Sequence, residues 1–317
     1  ARAYWEIANY YHAEARARGE DVLRINLDET SIALVQKPLR GVVMLVRGRR
    51  RSTAPPRLRA SRAQQRTNFT FAALVSDDPA LNLELPQFIL GSMQTFRGEN
   101  FDELFNASPP QVFLMRGASA WCTYEDMVQM VRVVGAVCRA HRPSHTVILC
   151  FDTAPCHMHE TVWSTCQAEG IRPLLVPARC TSLLQPLDVY VFRTFKEVLR
   201  REFHDRYSED SENLSLAWFL EVLYGAIHLV IQTRAWPHIF GRLGLAEDQS
   251  VVARHILDHV EADAIAQVAP GPPTDEDLRL LCAHNRAISA DVFLPPPPDA
   301  LLPAAAIGAG PAGGGGA

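Results

Sequence analysis

Val147-Ile148-Leu149-Cys150-Phe151-Asp152 is an unbroken apolar run closed by one acid. Such a run, too short for a helix and apolar at every position, suits a strand buried on both faces, as strands of parallel sheets are. Downstream, the pattern predicts a helix over roughly Met158 to Ala168, stopped by Gly170, and then a strand over Ile171 to Val176. Upstream, Thr123-x-x-Asp126 has the form of a capping box and opens a helix to about Ala140. Strand and helix therefore alternate through the middle of the chain, which predicts parallel strands with crossover helices.

Before that region the pattern differs. Val22 to Gln36 alternates, with Leu23, Ile25 and Leu27 on one side and Arg24, Asn26 and Asp28 on the other. Gly41 to Val46, Asn68 to Ser76 and Leu85 to Leu90 read as further strands, and Asp77-Asp78-Pro79 as a turn. The expected fold is α/β: a mixed sheet, antiparallel in its first strands and parallel later, flanked by helices. Residues 1–20 form a helix leading into a core at 21–207, with Tyr4, Ile7, Ala8 and Tyr11 on one face. Pro186 opens a helix to about Tyr207, in which Asp188, Phe192, Phe195 and Leu199 share the buried face. A helical extension covers 208–268, including a core helix over Leu214 to Thr233. Residues 269–317, rich in Pro, Gly and Ala, read as a largely disordered tail.

The chain has 317 residues, is 48% hydrophobic and carries a net charge of −4, so bulk charge points to no nucleic-acid partner. Seven cysteines, odd in number and without a CxxC pair, read as reduced, mostly buried thiols of a cytosolic or nuclear protein. No stretch has the length of a membrane span, and the first residues lack a signal-peptide layout. No phosphate-binding GxxxxGK[ST] loop, dinucleotide GxGxxG or GxSxG elbow occurs, which sets aside nucleotide-driven, nicotinamide and serine-hydrolase chemistry.

Three acids sit where such a sheet focuses chemistry. Asp28 projects from the polar side of the first strand, Asp152 ends the buried strand at its carboxyl edge, and Asp188 lies in the first turn of a helix. Each has an ordinary explanation when taken singly: a strand end, a turn with Thr153, and a helix N-terminal acid favoured by the dipole. Together they would repel unless divalent cations with oxygen ligands compensate. Two such ions about 4 Å apart can clamp the attacking and leaving oxygens of a phosphoryl transfer.

The words around these acids are specific. Asn26-Leu27-Asp28-Glu29-Thr30, Phe151-Asp152-Thr153-Ala154-Pro155-Cys156-His157 and Thr181-Ser182-Leu183-Leu184-Gln185-Pro186-Leu187-Asp188 resemble, in order, the "DET", "D-N-A-P-x-H" and "T-S-L-L-Q-P-L-D" motifs of the DDE superfamily endonucleases. The resemblance is to the Tigger/pogo branch of transposases, in the mariner-like superfamily, and covers roughly residues 10–245. Leu85 to Ile89, Trp121-Cys122-Thr123 and Ala235-Trp236 through Gly244 carry weaker echoes.

This resemblance implies a ribonuclease H-like fold, two Mg²⁺ or Mn²⁺ ions, and cleavage and strand transfer of DNA in the nucleus, with a homodimer on DNA as one expected assembly. It implies that Asp28 bridges both ions while Asp152 and Asp188 each hold one. Glu29, Thr153, His157 and Gln185 would be the supporting shell. Two departures stand out: Thr153 replaces the family's Asn, and Arg179-Cys180-Thr181 stands where "P-N-T" is usual. The family's N-terminal helix-turn-helix is not in these residues, so the chain reads as a piece of something longer. These departures keep open a second expectation, a non-catalytic relative that binds DNA or protein, as centromere protein B-like relatives do.

Two other constellations need a reading. Arg47, Arg49, Arg50, Arg51, Arg57, Arg59, Arg62 and Arg66 fall in one run, 47–66, without an acid. That is either a DNA-backbone surface or a solvated insertion. Cys150, Cys156, His157, His159, Cys166 and Cys180 lack the tight paired spacing of zinc ligands, so the sequence argues against zinc. His159 reads as ordinary helix surface.

Overall fold

The structure is a computed structural model that describes residues 2–36, 64, 66–209, 214–234, 236–246 and 248–274. The expected strand at Gly41 to Val46, all of the arginine run except Arg66, Cys282 and the residues beyond 274 lie outside the described residues.

Six strands form one sheet. In chain order they are β1 (Asp21–Ala33), β2 (Asn68–Ser76), β3 (Gln87–Ser92), β4 (Val112–Gly117), β5 (His145–Phe151) and β6 (Ile171–Leu175). Their order in space is β4-β3-β2-β1-β5-β6. β1 and β2 pair antiparallel, as do β2 and β3. β1 pairs with β5, β5 with β6 and β3 with β4 in parallel. This is the mixed sheet expected, antiparallel first and parallel later, with the ribonuclease H-like arrangement in which the first strand lies centrally between the hairpin and the crossover strands. β4 and the preceding helix, Gly98–Asn106, were not foreseen. Val112–Gly117 alternates only briefly, and β4 lies at the sheet edge.

Helices cover both faces. Cys150 of β5 faces the buried Tyr4 of α1 (Arg2–Arg18). One residue on, Phe151 points the other way and meets Trp163 edge to face, in the helix Glu160–Ala168. That helix packs against the helix Tyr124–His141. On the α1 face, Phe71 of β2 lies 5.0 Å from Phe195 of Phe192–Glu209, and Phe69 stacks on Phe219 of Leu216–Ile227. Each of these buried rings contributes about 1.5–3 kcal/mol by leaving water.

The side of β1 that carries Arg24, Asn26 and Asp28 is therefore covered, not solvated. Arg24 donates to His12 of α1 and to the Leu245 carbonyl and pairs with Asp77 at 2.5 Å. α1 is also tied to the C-terminal segment: Trp5 Nε1 donates to the Leu243 carbonyl, and Asn9 to those of Ile265 and Gln267.

Local details both match and correct the sequence reading. Thr123 accepts from the Asp126 N–H while Asp126 accepts from Thr123 N–H, so the capping box is formed. Gly170 adopts φ 72°, the left-handed stop expected after that helix. Asp77-Asp78-Pro79 is more than a turn, because Asp78 caps a short helix, Pro79–Asn82. The segment after Trp236 is not continuous helix but a series of short pieces, Pro237–Arg242, Gln249–Val251, Arg254–Leu257 and Ala262–Ala266. No helix among the described residues is long and apolar enough to cross a membrane.

Candidate active site

Register fixes where the acids stand. Asp28 is opposite Ala73 and Glu29 opposite Ala72, both in the β1–β2 pair, so small neighbours leave room beside the two carboxylates. Because successive strand residues point to opposite faces, Asp28 faces the α1 side and Glu29 the other. Asp152 follows the last residue of β5, next to β1 at Asn26 and Cys150.

The third acid reaches this edge by a different route from the one expected. Pro186 is followed by a single π-helical turn, Leu187–Val191, before the regular helix Phe192–Glu209 begins. The extra residue in that turn puts Leu187 and Val191 in the core and leaves Asp188 exposed. The expectation that Asp188 shares the buried face of Phe192, Phe195 and Leu199 is therefore corrected: regular 3.6-residue spacing does not hold across the π turn. Such insertions concentrate at functional positions.

Asn26 holds the arrangement together. Fully buried, it donates to the Cys150 carbonyl at 2.9 Å and accepts from the Leu187 N–H at 2.9 Å. One side chain thus ties β1 to β5 and to the turn bearing Asp188. Gln185, also fully buried, donates to the Leu27 carbonyl at 3.3 Å.

Asp28 is buried; its Oδ1 accepts from the Glu29 N–H at 2.9 Å, and its Oδ2 has no hydrogen-bond partner. Burial, then repulsion from Asp188, Glu29 and Asp152, pushes its pKa well above the ordinary carboxylate range. Partial desolvation also raises Asp188, against the attraction of Lys196 and with the repulsion of Asp152. Asp152 goes the other way: burial raises it, but the hydrogen bond and charge of His157 outweigh that and hold it low. The three acids are thus close enough to repel, although their oxygens do not all lie within 4.8 Å of one another.

His157 is enclosed completely. Its Nδ1 lies 2.7 Å from Asp152 Oδ1 and its Nε2 2.9 Å from Glu29 Oε1, while its carbonyl accepts from Trp163 Nε1. Burial disfavours the charged ring, but Glu29, Asp152 and Cys156 together raise its pKa well above the usual value. A carboxylate on each nitrogen makes it an imidazolium when no metal is bound. Thr153 lies half-buried between Asp152 and the Ala154 N–H that caps Asp152 at 2.9 Å.

The other candidates fare unevenly. Arg66 is exposed just before β2, and the remaining arginines of its run lie outside the described residues. His159 is not plain helix surface: it caps the helix Glu160–Ala168 and stacks on Tyr124 with ring centres 3.8 Å apart. Cys150 and Cys166 are buried in the core. Sequence reasoning missed Asn26 as a clamp and Lys196 as the cation facing Asp188 and Asp28. Lys196, eight residues beyond Asp188, was hidden by the π turn that shifts the phase of the following helix. Cys122, which lines the same pocket as Cys156, was hidden because the two are far apart in the chain.

The donor set fits hard divalent cations. An orphaned buried carboxylate oxygen, flanked by two further acids and one lysine, is a site that lacks positive charge.

The family model described as DDE superfamily endonuclease matches residues 82–239, a stretch that includes Asp152 and Asp188 and begins after β1 and β2. A human protein described as "Pogo transposable element with ZNF domain" is 35% identical over 85 residues, 24% of this chain and 6% of that protein. The chain thus spans a small part of that relative's length. Among solved structures, the "Mos1 transposase paired-end complex with left transposon end" overlaps 71% of this chain and 62% of its own at 13% identity and a TM-score of 0.37. The "Mos1 mariner paired end complex with Mn" overlaps 71% and 60% at 14% identity and a TM-score of 0.36. With overlaps this loose the fold is read from the strand order alone, and residues 82–239 carry a DDE superfamily endonuclease domain that is similar to a pogo transposable-element protein.

Proposed function

We propose that Asp28, Asp152 and Asp188 form a metal-dependent centre that cleaves DNA phosphodiester bonds and transfers strands, and that the protein acts in the nucleus. The observation that carries this reading is Asp28: a buried carboxylate with one oxygen unpartnered, repelled by two acids from separate elements. Nothing structural is gained by burying that charge, and its unpaired state is destabilising.

Asp28, Asp152 and Asp188 would hold Mg²⁺ or Mn²⁺, two ions in the fully loaded site. When bound, such ions neutralise charge on the attacking and leaving oxygens of the phosphodiester. The chain's own residues prepare the site. Asn26 fixes the turn bearing Asp188 relative to β1 and β5. His157 orients Asp152 through Nδ1 and holds Glu29 through Nε2. Lys196 supplies a positive charge beside the acids, suited to a DNA phosphate. Arg66 and the other arginines of its run would bind the DNA backbone, and a homodimer on DNA would pair two such sites.

The test is cleavage of DNA by the purified chain in Mg²⁺ or Mn²⁺, compared with Asp28→Asn, Asp152→Asn and Asp188→Asn. Cleavage is expected in the parent and should fall by at least a thousandfold in each variant. Retained cleavage in all three would sink the reading.

A second reading has one observation in its favour: the oxygens of the three acids do not converge within 4.8 Å, and Asp188 is exposed. A non-catalytic DNA- or protein-binding relative would tolerate that geometry. It predicts that all three Asn variants bind DNA as the parent does and that no metal produces cleavage.

A further inference from the structure

Glu29 is the residue next to Asp28, but it points to the opposite face of β1 and enters a different neighbourhood. There, ligand atoms of Glu29, Cys156 and His157 all lie within 4.8 Å of one another, the one such trio among the described residues. Cys122, in the segment leading into the helix Tyr124–His141, lines the same pocket as Glu29 and Cys156 and brings a second sulfur beside them.

We propose that Glu29, Cys156, His157 and Cys122 form a binding site for a zinc-class divalent cation, on the face of the sheet opposite the aspartate centre. The donor chemistry separates the two sites. Two thiols, an imidazole and one carboxylate suit a borderline-soft ion in tetrahedral coordination, whereas three carboxylates suit a hard one.

Four features of a working zinc site are present. Three donors stand together, with Cys122 on the wall of the same pocket as the fourth, and they come from three separate parts of the chain. Tetrahedral zinc needs donors roughly 3.3–3.8 Å apart, given its usual bond lengths, so three atoms within 4.8 Å have little contraction to make. The outer shell is built: Asp152 lies 2.7 Å from His157 Nδ1, the carboxylate–histidine pairing that fixes a ligating ring. An entry path exists, because Glu29, Cys122 and Cys156 line an open pocket of about 510 Å³ together with Trp121, Ala154 and Pro155. Binding would replace the proton shared between His157 and Glu29 and release the thiol protons.

His157 would then link the sites, with Nε2 on the soft ion and Nδ1 on Asp152. The soft ion would act as a fixed anchor for Asp152.

The test is a Co²⁺ titration of the whole chain with its thiols kept reduced, reading the thiolate-to-cobalt charge-transfer absorption. The expected result is saturation at one equivalent, loss of the band in Cys156→Ser, and a weaker band in Cys122→Ser. Asp28→Asn should keep the band even as it abolishes Mn²⁺-dependent cleavage, so failure of this site and failure of the aspartate centre are told apart. A folded, reduced parent chain with no band would overturn the proposal, as would a band undiminished in both cysteine variants. Where a cysteine variant does not fold, Glu29→Gln decides: at least a tenfold loss of Co²⁺ affinity supports the site, and unchanged affinity overturns it.

Discussion

Replacing Asn26 by Ala should destabilise the domain by about 2–5 kcal/mol. Besides a longer bond to the Leu27 carbonyl, two hydrogen bonds to other elements are lost, one to the Cys150 carbonyl and one from the Leu187 N–H, both at 2.9 Å and both fully buried. Their partners stay buried without replacements, and each such orphan costs about 1–3 kcal/mol. Total stabilities are about 5–15 kcal/mol, so the loss would be a large share. Urea unfolding followed by circular dichroism gives the value from the shift in midpoint at constant slope. Asn26→Asp is the informative partner: it keeps an acceptor for Leu187 but sets a buried carboxylate against the Cys150 carbonyl and the neighbouring acids, so at neutral pH it should destabilise at least as much as Ala. A loss below about 1 kcal/mol for Asn26→Ala would refute the claim that this side chain clamps β1, β5 and the Asp188 turn.

Other expectations follow from separate parts of the structure. His12 is buried, accepts from Arg24, and is held down to about 3 by burial and then by Arg24 and Arg16. The unfolded chain therefore binds the extra proton between pH about 6.5 and 3, so stability is full above that window and falls as pH drops through it; His12→Gln should flatten this part of the curve of urea midpoint against pH. Arg179 holds φ 67°, a left-handed conformation that disfavours its side chain, so Arg179→Gly should raise stability by about 1 kcal/mol in thermal unfolding. Thr123→Ala removes the capping-box acceptor and should lower stability by about 1 kcal/mol in the same assay. A methyl group at Gly91 would meet the Phe96 ring at 2.5 Å, so Gly91→Ala should destabilise by about 1–3 kcal/mol, visible as a lower melting temperature.

The sheet was legible because its strands speak in unmixed patterns: the continuous Val147 to Phe151 for a buried parallel strand, the alternation around Leu23 to Leu27 for the first. Caps were equally legible, since Thr123 with Asp126 and Gly170 act through local chemistry. β4 was not, because a short edge strand with Arg116 in it has little periodicity to show. The exposure of Asp188 was hidden for a sharper reason: the single π turn at Leu187–Val191 shifts the phase of the following helix, and nothing in the spacing announces it.

The candidate site divides along the same line. Asp28, Asp152 and Asp188 were found by motif, and the structure adds the repulsion among them and the orphaned Asp28 oxygen. Asn26 was seen only as a polar-side residue, because its two partners, Cys150 and Leu187, are brought to it by the fold. The nearness of Cys122 to Cys156 was invisible for the same reason, since zinc ligands are announced in a sequence only when they are closely spaced.

The most direct test of the central claim is thermal unfolding with and without Mn²⁺ for the parent chain and Asp28→Asn. A metal that binds the folded state raises its melting temperature by mass action. The account predicts a rise with Mn²⁺ in the parent and none in Asp28→Asn. An equal rise in both, or a folded parent indifferent to Mn²⁺, would contradict a metal centre built on Asp28.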